Sequence, residues 1–447
     1  MKTKKEDIDG CFELFSKWLK EEGDYIRGGG IYSDATVMWL MAFQRLNEGA
    51  SLARALEEFS REPFWELCGD CKRVRERRVS PNTGGYAQAR AGLGVDIVER
   101  VSDELFEWLS RQSVHKTGER ELYALDGSSL ELLRSKELLK DFPSHKQRGH
   151  YPLMRILVCH NLTTGLAVRP EYGAMYGQNR KGEIELCKSM FKRLPKDAVI
   201  VADRNFGIFA ATYCAQEAGL DVVFRLQENR AKKVLGTQPK HGIDQEVEWT
   251  PSAQDLKGNA EIPQDALVKG RVICREVRSH PNKKATLVYL FTTLGDPAKE
   301  IIQMYGMRWN IEIDLRTLKQ TVNMKMLKVK TADMAKKELF LGICAYNLVR
   351  AVISNVAKRL GVKPRDLSFK RILYIVEARS EALSKAPNEQ KRQQIMERFW
   401  QSVPCAKHPK RKKKRDEPRA LVRNRRQKYP SLKGSRKKAR AEIMKKN

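Results

Sequence analysis

A change in hydrophobic pattern near residue 121 constrains the fold of this chain more than any other feature of its sequence. Beyond that point, short apolar runs with the composition of β-strands occupy 122–125, 153–158, 165–168, 198–202 and 222–226. Stretches with helical periodicity, 183–194 and 208–218, separate the later runs. Strands that first cluster and then alternate with helices predict an α/β fold, in which a mixed sheet carries helices on its faces.

Four further segments surround this first part of the predicted core, 111–226. Residues 1–110 have the periodicity of helices joined by short breaks. Residues 227–290 are polar and turn-rich, and their strand-like runs predict a β-rich insertion. Residues 291–400 return to helical patterns and are predicted to complete the core, whereas 401–447 form a basic tail that is too charged to fold alone.

The chain is strongly basic, with 85 Lys and Arg against 55 Asp and Glu and a formal net charge of +30. Residues 407–447 hold 19 basic and 3 acidic residues, so the preceding 406 residues still carry +14. A basic tail alone could be a solubility arm, but a basic body with a basic tail indicates a polyanionic partner. Nucleic acid is favoured over an acidic membrane surface, because no segment has the pattern of a lipid-inserting helix.

Targeting and redox signals predict a soluble intracellular protein. The longest near-apolar run, 339–349, is too short to cross a bilayer, and the first ten residues lack the apolar stretch of a secretory signal. Nine scattered cysteines indicate reduced thiols. Cys68 and Cys71 form the only close pair, and without a second Cys or His pair after it a zinc site is not favoured.

Two aspartates stand at the ends of apolar runs. Asp126 follows Leu-Tyr-Ala-Leu, and Asp203 follows Val-Ile-Val-Ala. A carboxylate in such a position points out of a buried strand into the crevice where ligands of open α/β sheets bind. Asp also caps turns, so one such residue is weak support, but two in one predicted sheet make a shared metal site as good an interpretation as turn capping.

The segment 305–319 places polar residues on one face of a predicted helix. At 100° per residue, a stripe about 80° wide contains Tyr305, Arg308, Glu312, Arg316 and Lys319. Apolar residues flank this stripe on both sides, which indicates a polar strip lining a cleft. The alternative is a solvated helix with Glu–Arg pairs at i, i+4.

Asp126, Asp203 and Glu312 together are hard oxygen ligands, which suit Mg²⁺ or Mn²⁺ better than zinc. A pair of such ions can activate a water or a 3′-hydroxyl on one side of a phosphodiester and stabilise the leaving oxygen on the other. Neighbouring cations, Arg308, Arg316, Lys319 and Arg204, are predicted to bind backbone phosphates. The residues therefore indicate metal-dependent phosphodiester chemistry on a nucleic acid.

The spacing Tyr305-x2-Arg308-x3-Glu312-x6-Lys319 resembles the signature of the DDE transposases of the bacterial insertion-sequence-four family. The segments that begin at Asp126 (Asp-Gly-Ser-Ser) and at Ala202 (Ala-Asp-Arg-Asn-Phe-Gly) are similar to the two Asp motifs of that family. The runs 291–294, 345–350 and 423–432 also resemble it. The similarity covers roughly 120–440, and residues 1–110 match only loosely.

This resemblance implies an RNase H-like core interrupted by the β-rich insertion between Asp203 and Glu312. It implies that Asp126, Asp203 and Glu312 hold two Mg²⁺ or Mn²⁺ ions, and that Tyr305, Arg308 and Lys319 bind DNA phosphates at the transposon end. The implied reaction is cut-and-paste transposition through a DNA hairpin, by a homodimer that synapses two ends of double-stranded DNA. Residues 1–110 would bind the DNA ends, in the cytoplasm of a bacterium and in association with its nucleoid.

Relatives in this family use aromatic residues of the insertion to hold a flipped base. Trp249 is the only Trp between 227 and 290, and core packing is favoured for it. Trp309 is likewise favoured as a wall of the cleft.

Two alternatives stay open at this point. One is a nuclease of the same fold that cuts strands without joining them, against which the signature spacing argues. The other is a DNA-binding relative without catalysis, against which the three intact carboxylates argue.

Overall fold

The computed structural model describes residues 10–23, 25, 30–47, 49–113, 120–145, 149–277, 285–408, 434–435 and 441. Residues up to His408 form one compact unit, and Pro409–Asn447 form a second. Nearly all of the predicted basic tail beyond 408, including the segment 423–432, lies outside the described residues. The final short 3₁₀ turn of the first unit, Val403–Ala406, buries both of its end residues.

The N-terminal region is helical. Its helices are α1 (Cys11–Glu22), α2 (Asp34–Leu46), α3 (Leu52–Leu56), α4 (Lys72–Arg75), α5 (Gly84–Gly92) and α6 (Val95–Gln112). Ser33 and Ser51 cap α2 and α3, because each hydroxyl accepts a hydrogen bond from a backbone N–H three residues later. Large apolar side chains such as Trp18, Trp108 and Tyr86 are almost fully buried between these helices.

A nine-stranded mixed sheet forms the centre of the molecule, as the hydrophobic pattern predicted. The first five strands are β1 (Leu122–Leu132), β2 (Leu153–Asn161), β3 (Glu171–Ala174), β4 (Val199–Ala202) and β5 (Asp221–Arg225), with helices α7 (Lys136–Asp141), α8 (Glu183–Phe191) and α9 (Phe209–Glu217) between them. The order is β3-β2-β1-β4-β5. The pairs β1–β2 and β2–β3 are antiparallel, whereas β1, β4 and β5 are parallel.

The prediction of a strand at 165–168 was wrong. The chain turns back at Gly165, whose φ is +83°, and only an isolated bridge joins His160 to Ala167. The backbone N–H of Ala167 donates to the side-chain oxygen of Asn347, and its carbonyl accepts from the side-chain nitrogen, both at 2.8 Å. An amide side chain thus takes the place of a neighbouring strand, which no hydrophobic pattern could reveal.

The predicted insertion does contain strands, and they continue the central sheet. The elements are α10 (Glu228–Leu235), β6 (Asp244–Trp249), α11 (Ala253–Gly258), β7 (Val268–Val277) and β8 (Thr286–Thr292). The strand β8 pairs antiparallel with β5, and β7 and β6 extend the sheet beyond it. The boundaries at 227 and 290 stay predictions.

Helices follow the sheet: α12 (Ala298–Met307), α13 (Trp309–Gln320), the short strand β9 (Met326–Leu327), α14 (Ala332–Leu360), α15 (Phe369–Ser384) and α16 (Glu389–Ser402). By length and composition α14 could cross a membrane, but 89% of its most apolar 18-residue window is buried inside the fold. It packs against α2 and α6. Its apolar character is therefore that of a central core helix.

Candidate active site

The register of β1 and β4 brings Asp126 and Asp203 side by side. In this parallel pair Leu125 lies opposite Ala202, and each aspartate is the next residue along the chain. Neighbouring strands lie about 4.8 Å apart. The chain leaves the sheet directly after β4, because the Asn205 N–H donates to Asp203 Oδ1 at 2.8 Å in an Asx turn.

A gap in the sheet opens beside Asp126. On the side of β1 where β4 ends, the next pairing in the described part of the chain is with β9, at Glu131 and Leu132. Among the residues that the structure describes, 126–130 of β1 therefore have a strand neighbour only on the β2 side. The crevice was predicted from the end of a buried strand. Asp203 directly follows the end of β4, and the register places Asp126, inside β1, beside that end.

Burial is the main cause that raises the pKa of Asp126 to about 6, and the nearby charge of Asp203 adds to it. The guanidinium of Arg308 opposes this shift. Two adjacent carboxylates in a partly desolvated position repel each other, and a bound cation would relieve that repulsion. The pair fits a divalent metal by its donor chemistry.

The signature helix is interrupted at Arg308, where α12 ends and α13 begins, although one continuous helix was predicted. Arg308 keeps right-handed helical angles, with φ −49° and ψ −35°. Its side chain is largely buried, and Nη2 lies 3.3 Å from Glu312 Oε1. The same guanidinium lies 5.9 Å from the ring centre of Tyr305. Arg308 therefore links Glu312 to the neighbourhood of Asp126.

The other cations divide into two groups. Lys319 is half-buried, and burial lowers its pKa although the charges of Glu131 and Asp126 oppose the shift. Lys319 thus faces the same gap as the aspartate pair. Arg316 and Arg204 are exposed to solvent. The structure brings together Asp126, Asp203, Arg308 and Lys319, with Glu312 joined to them through Arg308.

The three carboxylates do not form a closed ligand set in this conformation. Among the described residues, no group of three or more His, Cys, Asp or Glu side chains has the geometry to hold a metal ion. The side chain of Glu312 is 42% exposed and is paired with Arg308. Its role as third ligand stays a prediction.

The polar strip is enclosed on one edge only. Ile311 and Leu318 are buried on that edge, whereas Trp309 and Ile313 on the other edge are 61% and 52% exposed. Helical spacing alone cannot tell which apolar edge meets the core. Trp249 is buried, with its ring 5.0 Å from that of Phe291, in agreement with the core packing favoured for it.

Sequence reasoning missed a fourth carboxylate beside the pair. Glu183, the first residue of α8, lies against Gly127 so closely that a Cβ on that glycine would overlap the carboxylate. Its charge contributes to the raised pKa of Asp126, and Arg155 Nη1 lies 3.3 Å from its Oε1. Only the position of α8 relative to β1 reveals this residue, since its sequence context is that of an ordinary helix start.

The family of the chain follows from a comparison over this region. A family model described as the transposase DDE domain matches residues 117–348, just over half of the 447 residues. The chain belongs to this family. The matched segment contains both aspartates and the whole signature helix, so the site described above lies within the domain that defines the family.

A sequence relative agrees with this membership. Transposase InsG for insertion sequence element IS4, from Escherichia coli (strain K12), is 23% identical over 293 residues. The match covers 63% of this chain and 64% of the relative, so the chain spans less than two-thirds of that protein. With the family match it confirms the resemblance to the insertion-sequence-four family of DDE transposases. A cryo-EM structure of a piggyBac transposase synaptic complex with hairpin DNA aligns over 88% of this chain and 84% of its own, at 14% identity and a TM-score of 0.42.

Proposed function

We propose that this chain is a DNA transposase that cleaves and joins DNA strands at the terminal inverted repeats of an insertion sequence. The observation that carries this proposal is the Asp126–Asp203 pair beside a gap in the sheet, with α13 and its signature residues across that gap. The order β3-β2-β1-β4-β5, three antiparallel strands followed by two parallel ones, supports an RNase H-like core.

Asp126, Asp203 and Glu312 would hold two Mg²⁺ or Mn²⁺ ions, which supply an activated water or 3′-hydroxyl and stabilise the leaving oxygen. In the absence of DNA, Arg308 pairs with the carboxylate of Glu312. When DNA binds, Arg308 would pair instead with a backbone phosphate, since a guanidinium binds both carboxylates and phosphates well. Glu312 would thereby be released towards the aspartate pair. Lys319 and Tyr305 would fix the phosphate backbone, and the exposed Arg316 and Arg204 would bind DNA farther along the strand.

The finer mechanism that we propose is the one that the resemblance to this family implies. Water would cut one strand at each end, the freed 3′-hydroxyl would form a hairpin on the opposite strand, and after reopening it would attack target DNA. Two copies of the chain would synapse two ends of double-stranded DNA. The proposal includes action on DNA in the bacterial cytoplasm, at the nucleoid.

Cleavage of a plasmid that carries the element's own terminal repeats tests this function. Wild type with Mg²⁺ should give nicks and strand-transfer products, and Glu312→Gln should give neither while it still binds DNA. Nicks from wild type without joining would favour the nuclease. DNA binding without cleavage would favour the DNA-binding relative without catalysis. Equal nicking by wild type and Glu312→Gln would show that Glu312 is not a metal ligand.

A further inference from the structure

The face of α13 opposite Glu312 carries a buried charge, Asp314. Two residues along a helix correspond to a rotation of 200°, so the two carboxylates point in nearly opposite directions. Glu312 faces the proposed site, whereas the side chain of Asp314 is 0% exposed. A fully buried carboxylate is costly unless it is paired, so its partners define what it does.

Two arginines from different elements bind Asp314. Arg350 of α14 donates through Nη2 to Oδ1, and Arg365 donates through Nη1 to Oδ1 and Oδ2 at 2.7 and 2.8 Å. Arg365 also donates to the backbone carbonyls of Asn161 and Leu162, at the end of β2. The carboxylate of Asp314 therefore connects α13 to α14, to the turn that follows α14 and, through Arg365, to the end of β2.

The segment 345–350, which resembles a family motif, builds this attachment. The hydroxyl of Tyr346 accepts from Arg350 Nε at 2.8 Å and so holds the guanidinium that reaches Asp314. Asn347 secures the turn that contains Ala167, next to the backbone that Arg365 binds. The segment 345–350 thus acts on Asp314 and on the turn beside the sheet.

A buried ion cluster is a poor way to gain stability, since apolar side chains of similar size would often do as well. Such a cluster does fix the orientation of the elements that it joins, because charge-assisted hydrogen bonds restrict both distance and angle. A rotation of α13 by about 10° would move a carboxylate roughly 6 Å from its axis by about 1 Å. A misplacement of about 1 Å in a catalytic group can cost roughly a hundredfold in rate.

We propose that Asp314 is a positioning residue, which through Arg350 and Arg365 sets the rotation of α13 and so presents Glu312 to Asp126 and Asp203. This inference rests on the proposed function. Asp314 does not touch DNA or metal, and it acts only through the helix that it shares with Glu312.

The test compares Asp314→Asn with a matched control, Glu338→Gln. Glu338 is also buried between two arginines, Arg45 and Arg90, but these pairs tie α14 to α2 and α5, and neither arginine belongs to α13. Both variants should lower the midpoint of thermal unfolding. Only Asp314→Asn should raise the half-saturating Mg²⁺ concentration for plasmid cleavage several-fold and lower the rate roughly a hundredfold, with unchanged DNA affinity.

Calorimetric titration with Mn²⁺ gives a readout without catalysis. Weaker Mn²⁺ binding by Asp314→Asn and by Glu312→Gln, but not by Glu338→Gln, is expected. The same Mn²⁺ affinity and the same Mg²⁺ dependence in Asp314→Asn as in wild type would overturn the positioning role. If wild type binds Mn²⁺ but does not cleave, the proposed function fails while the Mn²⁺ comparison still decides the inference.

Arg365→Met covers the case in which Asp314→Asn does not fold. It removes the hydrogen bonds from Arg365 to Asp314 and to the end of β2 but leaves the Asp314–Arg350 pair, so the buried carboxylate keeps one partner. A smaller shift of Mn²⁺ affinity in the same direction supports the proposal, and an unchanged affinity contradicts it.

Discussion

At the scale of single residues, the ionised side chain of Asp126 lowers the stability of the fold, whereas the same charge would bind a metal ion. Its pKa is raised to about 6 in the folded chain, against an ordinary value of 3.8, so the folded state holds the proton more tightly than the unfolded state. Folding therefore loses stability as pH rises through this range. In EDTA at pH 7.5 we expect Asp126→Asn to raise the free energy of unfolding by about 1–2 kcal/mol, after discounting for partial exposure.

Urea denaturation at two pH values checks this expectation. Near pH 4 most of the difference between wild type and Asp126→Asn should vanish, because both side chains are then largely neutral. A variant that is less stable than wild type at pH 7.5 would show that the carboxylate is compensated within the protein. As a control, Arg204→Gln removes an exposed charge next to Asp203 and should leave the free energy of unfolding unchanged.

Glu183 and Gly127 form a second residue-scale prediction. Glu183→Gln removes one negative charge near the aspartate pair and should weaken apparent Mg²⁺ affinity in cleavage by about tenfold. Gly127→Ala should have a similar effect, since the new methyl group displaces the Glu183 carboxylate, a flexible side-chain end. The two changes together should be no worse than either alone. Glu185→Gln, on the exposed side of α8, is the control, and additive losses would mean that the residues act separately.

At the scale of elements, the contact between β2, α13 and α14 should be sensitive to acid. Burial, with the charges of Arg365 and Arg350, lowers the pKa of His160 to about 4, although Asp314 opposes the shift. Neither ring nitrogen has a hydrogen-bond partner among the residues described. The unfolded chain takes up a proton near pH 6.5 and the folded chain does not, so stability falls as pH falls from 6.5 towards 4.

The expected loss from this residue is about 2 kcal/mol between pH 7.5 and pH 5. His160→Phe keeps an aromatic ring against Tyr346 and removes the titration, so its free energy of unfolding should depend less on pH by that amount. Urea denaturation of both proteins across this range measures it. Parallel pH profiles would assign acid sensitivity to other groups.

Much of this element-scale picture could be predicted from the sequence, and the failures have physical reasons. Helical spacing placed Tyr305, Arg308, Glu312 and Lys319 on one face, because periodicity is a local property. It could not show the interruption at Arg308 or the exposure of Trp309, since both depend on what packs beside the helix. Glu183 and Asp314 were missed for the same reason: strand register and the approach of distant helices give them their roles.

At the scale of the whole molecule, the basic residues of 409–447 should affect how tightly the protein binds DNA more than which DNA sequence it prefers. Removal of 409–447 deletes 18 basic and 3 acidic residues. The logarithm of DNA affinity should then fall less steeply with the logarithm of salt concentration, because fewer counterions are released. Filter binding between 50 and 300 mM salt, on repeat-containing and unrelated DNA, measures the slope. If the salt dependence of DNA affinity does not change, the tail does not contact DNA. If only the preference for repeat-containing DNA is lost, the tail takes part in sequence recognition.

The continuity of the sheet through β5 and β8 has a mechanical consequence. Only five residues separate the end of β8 at Thr292 from the start of α12 at Ala298. The last strand of the insertion is therefore joined by a short connection to α12, and α12 is followed at Arg308 by α13, the helix that carries Glu312. A load applied to the insertion, such as the pull of a duplex bent across it, would be transmitted along β8 as through a short tether. We therefore expect a displacement of the insertion to be passed to α12 and, through the interruption at Arg308, to Glu312.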